Sequence, residues 1–360
     1  MFKSESVIKV KGTHYEQGKQ QGEKVVDVIK ENVINIKRRI AKFNVLKEHP
    51  YNELLEKNLR FIEKAEPNIY EEMKGISEGS KIDFNDIAII NVPLYFMFLF
   101  PEGCTSILAR GSATFDGNTY LIKNRDMMQF PLQHIVLERE YMNGNKTVEV
   151  NGAGIITWPG NGINKYGLAI STSGVWSKKI PVNIADISNA YIQVMPNSIL
   201  ERCKSVDEAV DFINNTKRMN GYNFLIADKS KAVAVEVTRD KIFIEEDKNG
   251  ILIRTNHYLS EELRGLNESP KENQSAYNQS TYKRLERAKS FLDKKHGNIK
   301  LQDMLEIVSY HENAPYCCLC RHKVDECDSK TAYSSLIVLE DMQVWTALCN
   351  PCEALKLSYV

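Results

Sequence analysis

The pattern of apolar residues changes abruptly near residue 103, and this change constrains the fold more than any other feature of the 360-residue chain. Before this point the periodicity is helical. One amphipathic stretch follows Tyr15 and runs to Ile40, and a second covers 52–80. After it, short apolar runs such as 104–109 and 120–122 alternate with turn clusters, which is typical of antiparallel strands.

Helical segments return in the second half of the chain, mixed with further strands. Ser205 and Glu208 have the spacing of a capping box within a predicted helical segment. The predicted helices are 198–215, 281–294 and 301–310, and the predicted strands are 222–227, 232–237, 334–339 and 343–348. A polar stretch, 260–280, is predicted to be a loop. Because strand runs and helix runs follow no regular βαβ alternation, we predict an α+β protein with layered sheets.

Composition limits the kind of partner and the compartment. Lys plus Arg and Asp plus Glu are 47 each, so no overall charge attracts nucleic acid or an anionic membrane. The apolar run 87–100 contains Asn91 and Pro93 and is shorter than the roughly 20 residues that span a bilayer. The first residues lack the features of a secretory signal, which predicts a cytoplasmic protein with a small-molecule partner. A homo-oligomer is left open.

The dipeptide Gly103-Cys104 marks the point where the strands begin, and it has a chemical interpretation. A cysteine that becomes a new N-terminus carries nucleophile and base on one residue, because its thiol attacks while its freed α-amine takes the proton. The amine suits this role, since its unperturbed pKa is about 7.7–8.0. The alternative interpretation is a small buried hydrophobic residue at the start of a strand.

Six of the eight cysteines lie after residue 316 and suggest a second interpretation. Cys317, Cys320, Cys349 and Cys352 form a CxxC…CxxC pattern, which is a recognised zinc spacing. Against a compact zinc knuckle, the residues between the two pairs read as two core strands. A zinc-binding protein built on these four cysteines remains an alternative. Without a secretory signal, reduced thiols are expected rather than a disulfide framework.

The order of several short motifs resembles a known family. The motifs are 103–105 (GCT), 123–126 (KNRD), 255–258 (TNHY) and 280–287 (STYKRLER), with an N-terminal 12–23 and a closing 320–322 and 350–352. Together they resemble the penicillin acyltransferase-like cysteine peptidases, which belong with choloylglycine hydrolases among the N-terminal-nucleophile hydrolases. The resemblance implies a four-layer αββα sandwich of two antiparallel sheets. It also implies self-cleavage between Gly103 and Cys104 into a helical segment 1–103 and a catalytic segment 104–360.

The resemblance assigns four catalytic residues, and each has suitable chemistry. Cys104 would attack an amide carbonyl and form a thioester. Asp126 would orient its α-amine, and Asn256 would donate to the oxyanion. Arg284 would act near the thiol, with Arg287 as the rival position. A backbone amide near 173–174 would supply the second oxyanion donor.

The predicted activity is hydrolysis or transfer of the acyl group of a linear N-acyl amide, made active by self-cleavage of a zymogen. An acyl-CoA is a further partner that the resemblance allows, and no cofactor or metal is implied. Lys123 stands where choloylglycine hydrolases carry an arginine, which points away from bile salts. A third alternative is a conventional thiol hydrolase that pairs Cys104 with His257 or His322 without self-cleavage.

Overall fold

The computed structural model describes residues 7–43, 51–91, 103–127, 131–156, 160–175, 177, 179, 195–218, 221–312, 318–323, 329–353 and 356–359. The described helices are α1 His14–Lys24, α2 Val26–Phe43, α3 Tyr51–Ala65, α4 Pro67–Ser80, α5 Phe84–Asn91, α6 Met195–Arg202, α7 Val206–Asn215, α8 Ala276–Lys295 and α9 Leu301–Ser309. The described strands are β1 Val7–Gly12, β2 Gly103–Ala109, β3 Tyr120–Met127, β4 His134–Tyr141, β5 Lys146–Gly152, β6 Asn161–Asn164, β7 Ala169–Val175, β8 Gly221–Ala227, β9 Ala232–Val237, β10 Ile242–Glu246, β11 Ile251–Arg254, β12 Lys330–Val338, β13 Gln343–Ala347 and β14 Lys356–Tyr359. None of the helices in this described part is long and apolar enough to cross a bilayer.

The strands form two sheets. Within the described residues, eight strands build the larger sheet in the order β1-β4-β5-β6-β7-β8-β9-β10, and six build the smaller one in the order β11-β2-β3-β12-β13-β14. The pairing is antiparallel except that β1 runs parallel to β4. The strand β1 falls in the region predicted to be helical, and it was missed because its partner β4 lies more than 120 residues away.

Apolar clusters divide the molecule into four layers. Helices α2 to α7 cover the outer face of the larger sheet, with buried contacts such as Met73 against that face, and α1 packs on α4. The two sheets meet through a second cluster that includes Leu108 and Val148. Helices α8 and α9 cover the smaller sheet, where Ile107 and Leu292 share a third cluster. Adjacent residues Ile107 and Leu108 thus face opposite sides of one strand, as the two-residue period requires. The predicted αββα sandwich is confirmed.

The long helical stretches of the N-terminal region are each split into two helices. The helix α1 begins at a capping box in which Thr13 and Glu16 exchange hydrogen bonds, and Val25 is its C-cap. The second stretch breaks at Glu66, because Pro67 occupies the first turn of α4, where a proline is tolerated. The predicted segment 198–215 is likewise two helices, α6 and α7. The predicted loop 260–280 was wrong at its end, since α8 already begins at Ala276.

The N-terminal helices are built into the core rather than attached to it. Backbones of α1 and α4 touch, since a Cβ added to Gly75 would lie 2.0 Å from the carbonyl oxygen of Tyr15. Glu72 of α4 forms a buried ion pair of 2.6 Å with Arg139 of β4. The Gln21 side chain accepts a hydrogen bond of 2.7 Å from the backbone of Gly154. The segment before residue 103 therefore shares buried polar contacts with the larger sheet.

Candidate active site

Gly103 and Cys104 lie in one continuous strand, β2, which is next to the edge strand β11 of the smaller sheet. The strand β2 is paired on one side with β11 and on the other with β3. The register sets Gly103 opposite Asp126 and Cys104 opposite Arg125. Cys104 is 6% exposed. The predicted nucleophile is thus buried in the uncut chain.

Asn256 reaches the backbone of Cys104 because it follows β11, the neighbour of β2. Its side-chain oxygen accepts a hydrogen bond of 2.8 Å from the backbone nitrogen of Cys104. Its side-chain nitrogen donates to the carbonyl oxygen of Gly174 at 2.9 Å. The backbone nitrogen of Asn256 donates in turn to the Thr281 hydroxyl at 2.8 Å. The oxygen must face Cys104, since the groups it meets there are donors.

Arg284 of α8 is fully buried and joins the same group of atoms. Its guanidinium donates to Asn256 Oδ1 at 2.7 Å, to Thr105 Oγ1 at 2.8 Å and to the carbonyl oxygen of Cys104. Its Nε donates to Ser280 Oγ at 3.1 Å. The planar fork of an arginine meets several acceptors at once, which a lysine cannot do. Arg284 therefore fixes both the Asn256 amide and the carbonyl of Cys104.

Arg287, the rival arginine, lies elsewhere. Its guanidinium stacks on the ring of Tyr310 at 4.1 Å and donates to the hydroxyl of that residue. Both arginines belong to α8, one turn apart, but only Arg284 contacts the residues around Cys104. An interpretation of Arg284 as ordinary surface charge is wrong, because the side chain is buried.

Asp126 lies against Gly103, the residue before the nucleophile. A Cβ built on Gly103 would be 2.7 Å from Asp126 Oδ2, so the carboxylate occupies the space that a side chain at this position would need. Asp126 Oδ1 accepts a hydrogen bond of 2.7 Å from Thr331 Oγ1. Its Oδ2 is buried, accepts no hydrogen bond among the described residues, and lies 3.8 Å from Nε of Arg321. A buried acceptor oxygen thus lies beside the Gly103–Cys104 peptide.

Two residues behind Asp126 were not predicted as part of the site. Arg321 contacts Asp126, and its Nη2 donates to Ser280, the same hydroxyl that accepts from Arg284. Thr331 also accepts a hydrogen bond of 2.7 Å from the backbone of Arg321. The motif 320–322 was noted as part of the resemblance, but nothing in the sequence assigns Arg321 to Asp126. Because Ser280 accepts from both arginines, this network links the contacts of Arg284 around Cys104 to the contacts of Arg321 around Asp126.

The face of β3 that lies between the sheets carries two cations. Arg125 is directly opposite Cys104, and residues opposite each other in a ladder project to the same face. Lys123 projects to that face two residues earlier and donates to the carbonyl oxygen of Thr172 in the larger sheet. Burial and the charges of Arg125, Arg39 and Lys123 hold the pKa of His134 well below its usual value. His134 is therefore neutral.

The two histidines of the conventional thiol-hydrolase alternative do not form a pair with Cys104. Burial, with the charges of Arg284 and Arg254, lowers the pKa of His257 to about 3. Its Nδ1 is 2.9 Å from the Thr281 hydroxyl. His322 contacts the sulfurs of Cys320 and Cys352. Within the part of the chain that the structure describes, no histidine is hydrogen bonded to the Cys104 thiol.

The four-cysteine zinc alternative is only partly assembled in the described residues. Cys317 lies outside them. Cys320 and Cys352 are together, with their sulfurs 3.6 Å apart, and His311 and His322 lie beside them. The thiol of Cys349 donates to the carbonyl oxygen of Asn350 at 3.5 Å. The group that gathers is therefore two cysteines and two histidines.

The chain matches one protein-family model and is similar to a number of solved structures. The sequence model of the acyl-coenzyme A:6-aminopenicillanic acid acyl-transferase family matches residues 114–353. A mutant of the conjugated bile acid hydrolase from Clostridium perfringens is similar at 15% identity and a TM-score of 0.44, over 71% of this chain and 92% of that one. A second variant of that hydrolase is 15% identical, with a TM-score of 0.40, over 71% of this chain and 92% of that one. Penicillin V acylase from Agrobacterium tumefaciens is 14% identical, with a TM-score of 0.43, over 68% of this chain and 83% of that one. No curated protein matches the sequence.

Proposed function

The chain belongs to the acyl-coenzyme A:6-aminopenicillanic acid acyl-transferase family, and from this premise we propose that it is a self-processing amidase or acyltransferase with Cys104 as nucleophile. The substrate class is a linear N-acyl amide. The observation that carries the proposal is the convergence of Asn256, Arg284 and Asp126 on the peptide groups at Gly103 and Cys104.

Self-processing is the first step of the proposal. The sulfur of Cys104 attacks the carbonyl carbon of Gly103, a carbon–sulfur bond forms, and the bond from that carbon to the nitrogen of Cys104 breaks. The thiol proton passes to this nitrogen, which becomes the free α-amine. Water then hydrolyses the thioester and leaves a carboxylate on Gly103. The buried Asp126 oxygen beside Gly103 suits the stabilisation of the ammonium form of the new amine.

Turnover uses the same atoms on an external amide. The Cys104 thiolate attacks the acyl carbon while the α-amine takes the thiol proton and passes it to the leaving nitrogen. Water, or a second amine, releases the acyl group from the thioester. Asn256 Nδ2 carries two hydrogens and donates one to Gly174, which leaves the other for the oxyanion. Arg284 keeps the Asn256 amide in the required orientation.

After cleavage the two segments would stay associated through non-covalent contacts. In this proposal residues 1–103 form a helical segment and 104–360 a catalytic one. The buried ion pair between Glu72 and Arg139 and the contact of Gln21 with Gly154 cross the boundary and hold the segments together. The thiols of Cys104 and Cys203 are free, which supports a reducing compartment, and we propose the cytoplasm.

The test is the denatured mass of freshly purified protein, compared with a Cys104→Ala variant and a Cys203→Ala control. Cys203 is also a buried cysteine, but it packs among the helices on the larger sheet. We expect two fragments that meet between Gly103 and Cys104 in the wild type and the control, and one intact chain in Cys104→Ala. An intact wild-type chain that still releases amine from N-acyl amides would contradict self-processing. Fragments without such release in a broad N-acyl amide screen would contradict the substrate class.

A second assay separates hydrolysis from transfer. The cleaved enzyme is incubated with an N-acyl amide, or with an acyl-CoA, in the presence and absence of an added primary amine. A new amide as the main product identifies a transferase, and the free acid as the main product identifies a hydrolase. The extent to which the site excludes water decides between them.

A further inference from the structure

We propose that His311, Cys320, His322 and Cys352 bind one zinc ion, in a site separate from the nucleophile. The possible ligand atoms of the four side chains all lie within 4.8 Å of one another. The two sulfurs are 3.6 Å apart, and Nε2 of His322 is 3.6 Å from the sulfur of Cys320 and 3.2 Å from that of Cys352. In a tetrahedral zinc site with two sulfur and two nitrogen ligands, the distance between any two ligand atoms is about 3.3–3.8 Å.

The surroundings of the ligands favour the same interpretation. Nδ1 of His311 is 2.9 Å from the carbonyl oxygen of Ser309, and donation to that oxygen leaves Nε2 as the unprotonated nitrogen that can bind a metal ion. Histidine ligands commonly donate their other nitrogen to a carbonyl or carboxylate in this way. The side-chain nitrogen of Asn350 donates to the sulfur of Cys320 at 3.4 Å and to the carbonyl oxygen of Arg321 at 2.7 Å. A donor to sulfur stabilises a thiolate.

The donor set decides the kind of metal and its role. Two thiolates and two neutral imidazoles suit zinc, whereas calcium and magnesium require oxygen ligands. Binding releases the two thiol protons, and the two thiolate charges balance the divalent ion. Four protein ligands fill a tetrahedral zinc site and leave no position for a reacting water, which is typical of a structural site.

A disulfide between Cys320 and Cys352 is the main competing interpretation. Its sulfurs would be about 2.05 Å apart, whereas they are 3.6 Å apart here. A disulfide also gives no reason for an imidazole nitrogen to contact both sulfurs.

The proposed site would support the residues behind Asp126. Arg321 stands between the ligands Cys320 and His322, and it contacts Asp126 and Ser280. A metal ion that fixes the backbone on both sides of Arg321 would hold Arg321 in place beside the Asp126 carboxylate. In this respect Arg321 is a positioning residue, since it would act through Asp126.

The experiment is metal analysis of the full-length protein, purified under reducing conditions without chelator and with any affinity tag removed. We expect about one zinc ion per chain in the wild type. His311→Ala and Cys352→Ser, both at exposed positions, should lose the stoichiometric zinc. Cys317→Ser and Cys349→Ser should keep it, which separates the proposed ligands from the four-cysteine set. Loss in these two variants with retention in His311→Ala would overturn the proposal.

Two further measurements exclude trivial explanations. Circular dichroism of each variant identifies one that has lost zinc merely by unfolding. Cobalt(II) added to metal-free wild-type protein should give the absorption of a tetrahedral thiolate site, and this readout needs no variant. A reduced wild-type chain that binds neither zinc nor cobalt would refute the site. A disulfide between Cys320 and Cys352 would refute it as well; it would be seen as a non-reduced mass lower by two hydrogens and as a linked pair of peptides that contain these cysteines. Neither result bears on cleavage at Gly103, so failure here is distinct from failure of the proposed function.

Discussion

The carboxylate of Asp126 fills the space where a side chain on Gly103 of the neighbouring strand would lie, since a Cβ on Gly103 would be 2.7 Å from Asp126 Oδ2. No side chain larger than hydrogen fits there without moving the carboxylate. Packing thus favours glycine before the nucleophile, in addition to any preference of the cleavage reaction itself.

Gly103→Ala should slow self-cleavage, because the added methyl group displaces the Asp126 carboxylate. We expect overpacking to destabilise the site by about 1–3 kcal/mol and to leave most of the chain intact after purification. The measurement is the cleaved fraction over time by denatured mass. Gly265→Ala is the matched control, since nothing lies within 4 Å of its added Cβ. Normal cleavage of Gly103→Ala would show that the contact is not needed.

Asp126→Asn should leave the fold intact and lower the rate of amide turnover about 100-fold, because the neutral side chain no longer stabilises a charged α-amine. The measurement is kcat and KM for amine release by protein that has been cleaved, together with the pH profile. A control, Asp293→Asn, alters an exposed aspartate on α8 that pairs with Lys289. If kcat and its pH profile were both unchanged in Asp126→Asn, the role assigned to this carboxylate would be wrong.

Arg284→Lys should abolish cleavage and destabilise the chain by about 2–4 kcal/mol, because one ammonium cannot replace the four contacts of the buried guanidinium. Arg287→Lys should change the free energy of unfolding by less than about 1 kcal/mol, since that residue is only partly buried. Urea unfolding in a Cys104→Ala background measures both without interference from cleavage. Equal effects of the two substitutions would contradict the assignment to Arg284.

His14 should make the stability of the protein depend on pH. Burial opposes its protonation, but hydrogen bonds to Glu201 and Glu72 and their charges raise the pKa of His14 to about 9. Since this lies above the unfolded value of 6.5, the stabilisation is fully present below pH 6.5 and is lost as the pH rises to about 9. The shift corresponds to at most about 3 kcal/mol.

The measurement is urea unfolding of the Cys104→Ala protein at several pH values between 6 and 9, with and without His14→Gln. We expect the variant to lose most of the pH dependence in this window. The groups that face His14 are Glu72, Glu201 and the ring of Tyr141. An exposed histidine, His296, supplies the control His296→Gln. Parallel curves for His14→Gln and its parent would refute the raised pKa.

Much of the fold could be predicted from local pattern. The strands β2, β8 and β9 and the helices α8 and α9 lie close to where apolar periodicity and turn residues placed them. The break at Glu66 was missed, although Pro67 signals it. The strand β1 could not be found, because six residues without a local partner carry no distinctive period, and its pairing with β4 exists only in the tertiary structure.

The candidate site, too, could be predicted from the sequence only in part. By itself the sequence determined the chemical types and the order of Cys104, Asp126, Asn256 and Arg284, because motifs are local and residue chemistry does not depend on the fold. The tertiary structure decided which of two arginines on α8 is buried, that Arg321 stands behind Asp126, and that His311 joins Cys320 and Cys352. These contacts join atoms that are far apart along the chain, such as the 152 residues between Cys104 and Asn256. They are set by strand register and by the packing of layers, and no local pattern specifies either.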